Sequence, residues 1–397
     1  MKYRKVKKNG DEISILGYGC MRFPTKFGMI NEEKAEAQIK YALNHGVNYF
    51  DTAYPYHAGA SEKFLGKLIS KGTIKRDENY ITTKLPPFSV KTKEDMEKIF
   101  QEQLKRLKTE YVDYYLLHGI TDSAGWHRML ELGVLDFFDR IKDEGRAKHI
   151  GFSFHSHINL FKEMVDAYDW DMCQIQYNFL DETIQAGTEG LEYAYDKGIS
   201  VFIMEPLRGG SLAGEVPKNA QSIWDEVSGN PSAARLALQW LWNQKEVTCV
   251  LSGMNDDKHI QENIESANES SINMFNNDTL EKFDRVKKVY QESTKVPCTG
   301  CSYCLPCPAK VNIPLAFQNY NNMFLFDAGI GGKIFYQTQL GGIMNEELAL
   351  ASQCISCNKC VEHCPQHIDI PKELKKVADY MEGPMDKPLR WLLNKVL

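Results

Sequence analysis

The sequence predicts an α/β fold: a (β/α)8 barrel followed by a smaller, α-rich domain organised by cysteines. Three observations predict it. From Ile13 to about Ala267, short β-rich segments alternate with amphipathic helical ones, the pattern of repeated βα units around a parallel sheet. A chain of 397 residues is too long for one ordinary core and divides into a barrel of typical size plus an appended unit. Eight of the eleven cysteines crowd into two short runs beyond Pro297.

Taken in order, the strands read as Ile13–Gly19, Asn48–Ala53, Tyr80–Leu85, Val112–His118, Lys148–Phe154, Met172–Asn178, Ser200–Glu205 and Thr248–Ser252, and eight such units close a barrel. Helical patterns such as Glu32–Asn44 and Ala233–Asn243 follow the strands. Several strands are nearly continuous apolar runs, as expected where helices cover one side and the barrel interior the other. The exceptions are polar residues at the C-terminal strand ends, where barrels of this kind build their active sites: Asp51, Lys84, His118, Ser153, Gln176 and Glu205. Asn277–Ser293 reads as a charged amphipathic helix leaving the barrel, and Thr294–Pro297 as a short linker. The expected organisation is a barrel over residues 1–275, a connecting helix and linker over 276–296, and the second domain over 297–397.

Composition bounds the function. With 43% hydrophobic and 25% charged residues the chain reads as globular, and a net charge of -6 offers no general attraction to nucleic acid or anionic lipid. The opening MKYRKVKKNG is basic but lacks the apolar run of a signal peptide, and no stretch approaches a membrane span, so neither nucleic acid nor membrane is an expected partner and a cytoplasmic location is expected. In that setting the clustered cysteines suggest metal ligation over disulfides.

The segment NYFDTAYPYHAGASEKFLG, followed by YITTKLPP and VDYYLLHG, resembles the aldo/keto reductase family over roughly the first 270 residues. The resemblance implies a TIM barrel that reduces a carbonyl, or oxidises the corresponding alcohol, and it places Asp51, Tyr56, Lys84 and His118 on the family's catalytic positions. Chemistry agrees with each. Hydride delivered to carbon must be matched by a proton to oxygen, so the site needs an acid where negative charge develops. Tyr56 is the candidate acid, Lys84 the neighbouring ammonium expected to lower its pKa, Asp51 the partner that fixes Lys84, and His118 the group that orients the substrate oxygen. The competing reading is an Asp–Lys ion pair and a satisfied histidine in a barrel without catalysis.

For the cofactor, the resemblance implies NADP or NAD lying extended across the barrel mouth, without a Gly-rich βαβ fingerprint. Ser153 and Gln176 match the positions that hold the carboxamide. Gly209 and Gly210 would let backbone approach the pyrophosphate, with Arg208 as charge partner. Ser252, Gly253, Lys258, Glu262 and Asn263 fall at the adenosine end. The chain departs from the family at three places. Met204 stands where an aromatic ring usually stacks on the nicotinamide, Phe154 followed by His155 stands where Asn is common, and Gly253 and His259 leave only Lys258 near a 2′-phosphate. The choice between NADPH and NADH therefore stays open.

The second cysteine run, Cys354, Cys357, Cys360 and Cys364 with Pro365 behind it, matches the spacing of bacterial ferredoxins. The first, Cys298, Cys301, Cys304 and Cys307 with Pro308, has one residue fewer before its last cysteine. The resemblance implies a ferredoxin-like iron–sulfur domain with two [4Fe–4S] clusters. By the crossed arrangement such ferredoxins use, Cys298, Cys301, Cys304 and Cys364 would hold one cluster, and Cys354, Cys357, Cys360 and Cys307 the other. Zinc is the competing metal, but it usually takes cysteines in pairs from separate knuckles. Cys20, Cys173 and Cys249 lie in strand patterns and read as inert buried thiols.

A nicotinamide exchanges electrons in pairs and a cubane singly, so joining the two domains calls for something that splits the pair. No flavin motif is visible, which leaves three routes: a flavin or a ferredoxin or flavoprotein partner does the splitting, the clusters feed the substrate directly from ferredoxin, or the domain is mainly structural. An electron-transfer role is the favoured one. The second functional reading is an electron-transfer or redox-sensing protein whose barrel no longer uses nicotinamide. The loop Gly119–Leu132, with Trp126 and His127, is long enough to shape a substrate pocket but names no substrate.

Overall fold

The computed structural model describes residues 1–214, 216–326, 328–342 and 347–384; residues 385–397, the end of the expected second domain, lie outside the described residues. The chain forms two compact units, one of Met1–Pro206 with Ala234–Asn276 and the other of Leu207–Ala233 with Asn277–Leu397.

In the first unit, β1 (Leu16–Gly19), β2 (Tyr49–Asp51), β3 (Tyr80–Leu85), β4 (Val112–Ile120), β5 (Ala147–Phe154), β6 (Met172–Gln176), β7 (Ser200–Met204) and β8 (Val247–Ser252) make a closed barrel in which each strand pairs parallel with the next and β8 returns to β1. Register carries the alternation inward. His118 follows Leu117, which pairs with Phe152; Gln174 pairs with Ser153, and Gln176 with Met204, so these side chains gather at the C-terminal end of the barrel.

The opposite end is closed by apolar packing. Tyr49, Tyr114, Leu116, Met172, Phe202, Cys249 and Leu251 form one cluster, capped by Val6 and Ile13. The cap is an antiparallel hairpin, Tyr3–Lys5 with Glu12–Ser14, whose Arg4 donates to the carbonyls of Gln244 at 2.7 Å, Val247 and Trp242. The single strand expected over Ile13–Gly19 is therefore two pieces. At the break, Ser14 N–H donates to Asn48 Oδ1 at 2.8 Å and Asn48 N–H to Ser14 Oγ at 3.1 Å, so side chains replace the ladder.

Behind β3 the wall is held by one buried carboxylate. Glu62 Oε1 accepts from Thr83 Oγ1 at 2.6 Å and Gln103 Nε2 at 2.8 Å, while Arg106 Nη1 donates to Oε2 at 2.9 Å. Gln103 Nε2 also reaches the carbonyl of Lys84 at 3.0 Å, so the network fixes the strand that carries Lys84. Helices Ala60–Ser70 and Lys93–Leu107 approach so closely that a Cβ on Gly66 would sit 2.1 Å from Arg106 O.

The second unit has its own core, in which Val296, Ile313, Phe317, Leu374 and Val377 pack with Cys364. The stretch read as a linker is pinned: Asn321 Oδ1 accepts from Lys295 N–H at 3.0 Å and Val296 N–H at 2.9 Å, and its Nδ2 donates to Val296 O at 2.7 Å. Among the described residues its helices are Lys218–Trp224, then Asn277–Ser293, as expected, and Ile313–Leu325, Gly329–Leu340 and Ile370–Met381. Among the described residues, no helix is long and apolar enough to cross a membrane.

Candidate active site

Four polar side chains meet at the C-terminal end of the barrel. Asp51 closes β2, Lys84 lies near the end of β3 and His118 near the end of β4, all three buried, while the half-buried Tyr56 follows in the turn after β2. Lys84 Nζ donates to Asp51 Oδ1 at 2.5 Å and to the carbonyl of Thr52 at 2.9 Å, and stands 3.5 Å from Tyr56 OH. The rings of Tyr56 and His118 meet edge to face with centroids 5.8 Å apart. Tyr56 is aimed by an unusual turn, since His57 and Ala58 both adopt left-handed backbone, φ 50 and 53.

Sequence reasoning missed one member of this group. Gln174 Nε2 donates to Asp51 Oδ2 at 2.5 Å, so both carboxylate oxygens are engaged, one by an ammonium and one by an amide. The signal was its place on β6, two residues before Gln176 and on the same inward face.

Electrostatics differ from expectation at Tyr56. Its phenol lies well above the ordinary range, because burial disfavours the anion and the carboxylate of Asp51 adds to that. Lys84 was expected to lower it, but burial and the Asp51 carboxylate set the direction. His118 is held well below its ordinary pKa by burial first, then by the charges of Lys84 and His155, and its Nδ1 has no hydrogen-bond partner among the described residues. His155 is pushed down to about 4 by burial, against the hydrogen bond its Nδ1 donates to Gln185 Oε1, which favours its charged form.

Both imidazoles are therefore neutral at pH 7, and stability should respond. The unfolded chain, with histidine near 6.5, takes up protons before the folded one does, so stability falls as pH drops from about 6.5 toward 4. For His155 the loss is on the order of 3 kcal/mol over that window. In urea unfolding of the protein at pH 7 and pH 4.5, His155→Asn should lose less stability between the two pH values than the parent chain; equal losses would contradict the buried-neutral assignment.

The residues expected at the nicotinamide distribute as follows. Ser153 is buried and its Oγ accepts from Gly119 N–H at 2.7 Å. Gln176 is buried, its Nε2 donating to Asp181 Oδ2 at 2.7 Å while its Oε1 has no partner among the described residues. Met204 is half-buried at the end of β7. Ser252 Oγ accepts from Asn263 Nδ2 at 3.1 Å, joining the end of β8 to helix Asp257–Glu269. Gly253 faces Arg22, whose Cβ would lie 3.1 Å from an added methyl; Glu262 is half-buried and Lys258 exposed in the helix's first turn. Arg208, Gly209 and Gly210 all have positive φ and belong to the second compact unit, where the charge of Arg208 bears on Tyr290.

The loop Gly119–Leu132 contains a helix, Ser123–Glu131, with Trp126 buried beneath it and His127 Nε2 2.8 Å from Glu163 Oε1. Cys20, Cys173 and Cys249 are fully buried thiols whose pKa burial raises.

In the second unit, Cys298, Cys301, Cys304 and Cys364 line a single cavity together with Ile313 and Phe317. The charges of Cys298, Cys301 and Cys364 bear on Cys304, and those of Cys354, Cys307 and Cys357 on Cys360. Cys364 of the second run thus sits at the cavity of the first run's cysteines, and Cys307 of the first lies near Cys360 of the second.

A closed parallel barrel with Asp, Lys, Tyr and His at its C-terminal end, in a chain with a cysteine-rich second unit, defines a barrel oxidoreductase carrying an iron–sulfur domain. The aldo/keto reductase family model matches residues 15–285, and the chain belongs to that family. A 4Fe-4S dicluster domain model matches residues 297–368. L-galactose dehydrogenase of Arabidopsis thaliana is 26% identical over 304 residues, 71% of this chain and 93% of the relative. An uncharacterized oxidoreductase of Bacillus subtilis (strain 168) is 28% identical over 301 residues, 68% of this chain and 92% of the relative. In fold, the chain is similar to an aldo-keto reductase from Bacillus halodurans in its holo form, with a TM-score of 0.59 and 23% identity over 72% of this chain and 96% of that one.

Proposed function

We propose that the protein reduces a small-molecule carbonyl, or oxidises the corresponding alcohol, with a nicotinamide dinucleotide, and that its C-terminal domain holds two [4Fe–4S] clusters that carry single electrons. The observation that carries the reading is Lys84, placed between Asp51 and Tyr56 at 2.5 and 3.5 Å. Tyr56 donates its phenolic proton to the substrate oxygen. The ammonium of Lys84 stabilises the phenolate left behind, and Asp51, held by Gln174, keeps that ammonium in place. His118, neutral, donates a hydrogen bond to the same oxygen without competing for the proton.

The nicotinamide, when bound, supplies the hydride. The residues fit its carboxamide: Gln176 Oε1 is a buried acceptor without a partner among the described residues, and Ser153 keeps its O–H to donate after accepting from Gly119. Met204 offers a thioether to the ring face. Ser252, Gly253, Glu262 and Asn263 serve the adenosine end, where exposed Lys258 is the cation available to a 2′-phosphate.

The cysteines fit two cubanes. Four thiols around one cavity, contributed by three residues of one run and the last of the other, match the ligand set of one cluster, and Cys354, Cys357, Cys360 and Cys307 that of the second. Because each cluster moves one electron and the nicotinamide two, the reading includes a ferredoxin or flavoprotein partner, with a flavin as the group that splits the pair. Met204 favours the second reading, an electron-transfer or redox-sensing protein that has given up nicotinamide.

Iron and acid-labile sulfide analysis of anaerobically purified protein, with fluorescence titrations of NADPH and NADH, separates these. About eight irons together with nicotinamide binding is the expected result. The same iron without binding would leave the second reading standing, and zinc in place of iron would overturn the redox role of the C-terminal domain.

A further inference from the structure

The two cysteine sets differ in how the chain covers them. Cys298, Cys301, Cys304 and Cys364 share a cavity walled by Ile313 and Phe317, which are 1% and 0% exposed, and Cys364 itself is 9% exposed. In the other set, Cys357 is exposed, and Ile355 between Cys354 and Cys357 is 66% exposed. Ser356 and Asn358 flank Cys357 with positive φ as Gly300 and Ser302 flank Cys301, so the two loops share a backbone shape and differ in exposure: Thr299 before Cys301 is 2% exposed.

An apolar wall and an open edge have opposite consequences for a charged redox group. Adding an electron to a thiolate-ligated cubane increases its negative charge, which an apolar enclosure disfavours and water accommodates, so exposure is one of the levers on its potential. The exposed centre is also the one a carrier can approach. The only formal charges between Cys354 and Cys364 are Lys359 and Glu362, which cancel, so nothing there selects a strongly charged face. A bare isoleucine on a loop whose two formal charges cancel fits the small contact of a transient electron-transfer encounter.

Resting on the reading that both sets hold [4Fe–4S] clusters, we propose that the centre at Cys307, Cys354, Cys357 and Cys360 is the electron port, where a one-electron carrier protein with an apolar, weakly charged rim docks against Ile355. The centre at Cys298, Cys301, Cys304 and Cys364 is the inner one. In the step, one electron leaves the reduced carrier, which is oxidised, and the port centre is reduced by one electron; no bond or proton moves.

The test uses the cluster-loaded full chain reduced with dithionite and read by electron paramagnetic resonance in the presence of a dysprosium chelate. Cys357→Ser marks the port signal by shifting it. The chelate should enhance relaxation of the signal that Cys357→Ser shifts and spare the other. Ile355→Ser, which removes the apolar contact without adding charge, should slow reduction by a reduced two-cluster bacterial ferredoxin about tenfold at high salt, the size of one weakened contact, while reduction by dithionite stays unchanged. Equal relaxation of both signals, or of the unshifted one, overturns the assignment. So does an unchanged ferredoxin rate, or an Ile355→Ser effect confined to self-association of the chain. Absence of any cluster signal, with no iron bound, would instead remove the reading on which the port depends.

Discussion

Tyr56→Phe should lower the rate of carbonyl reduction by about 10²- to 10⁴-fold, the contribution expected of a positioned general acid. The substitution removes one oxygen and leaves the ring, its edge-to-face contact with His118 and the Lys84–Asp51 pair in place. Nucleotide affinity and iron content should therefore not move, and KM should change far less than kcat. Because burial holds the phenol protonated, the parent enzyme should keep its acid across neutral pH. Full turnover by Tyr56→Phe would show that the proton comes from elsewhere and would dismantle the proposed mechanism. Lys84→Met makes the converse control: the phenol survives, but the phenolate it must become has lost its cation.

Cys364→Ala should remove one cluster while sparing the other, and it should be the first run's cluster that goes. Cys364 lies in the second run by sequence but lines the cavity of Cys298, Cys301 and Cys304. Iron should fall from about eight to about four per chain, and the signal marked by Cys357→Ser should persist. Loss of the marked signal instead would mean that each run holds its own cluster and that the exchange of last cysteines does not operate. Since Cys364 also belongs to the apolar core of that unit beside Val377 and Leu374, the thermal midpoint of the C-terminal domain is expected to drop as well.

The barrel was legible because its signal is repetitive. Strand after strand, near-continuous apolar runs ended in a polar residue, and Asp51, Lys84 and His118 of the candidate site stand at or near those ends in chain order, with Tyr56 in the turn after the first of them. Cysteine spacing was legible for a similar reason, since ligand geometry leaves little freedom in the interval between thiolates. What the sequence concealed depends on side chains that meet across the barrel. Gln174 serves Asp51 from a strand four places away in chain order, and nothing local distinguishes it from Gln176. The hairpin at the barrel's closed end was hidden because Ile13 to Gly19 is uniformly strand-like, and the break at Ile15 is made by Asn48, which lies far along the chain. The Tyr56 phenol shifts up where a neighbouring ammonium predicted a shift down, because burial of the phenol comes first, and burial is not written in spacing.

The turn that presents Tyr56 bears on how this chain could be re-engineered. Two consecutive residues with side chains, His57 and Ala58, hold a backbone conformation that glycine would adopt without strain. A stabilisation campaign ranking substitutions by local conformational preference would therefore nominate Ala58→Gly early. The same change would loosen the turn that presents the phenol, so thermostability and turnover are set against each other there. Libraries that hold residues 56–58 constant and seek stability in the surface helices avoid that conflict.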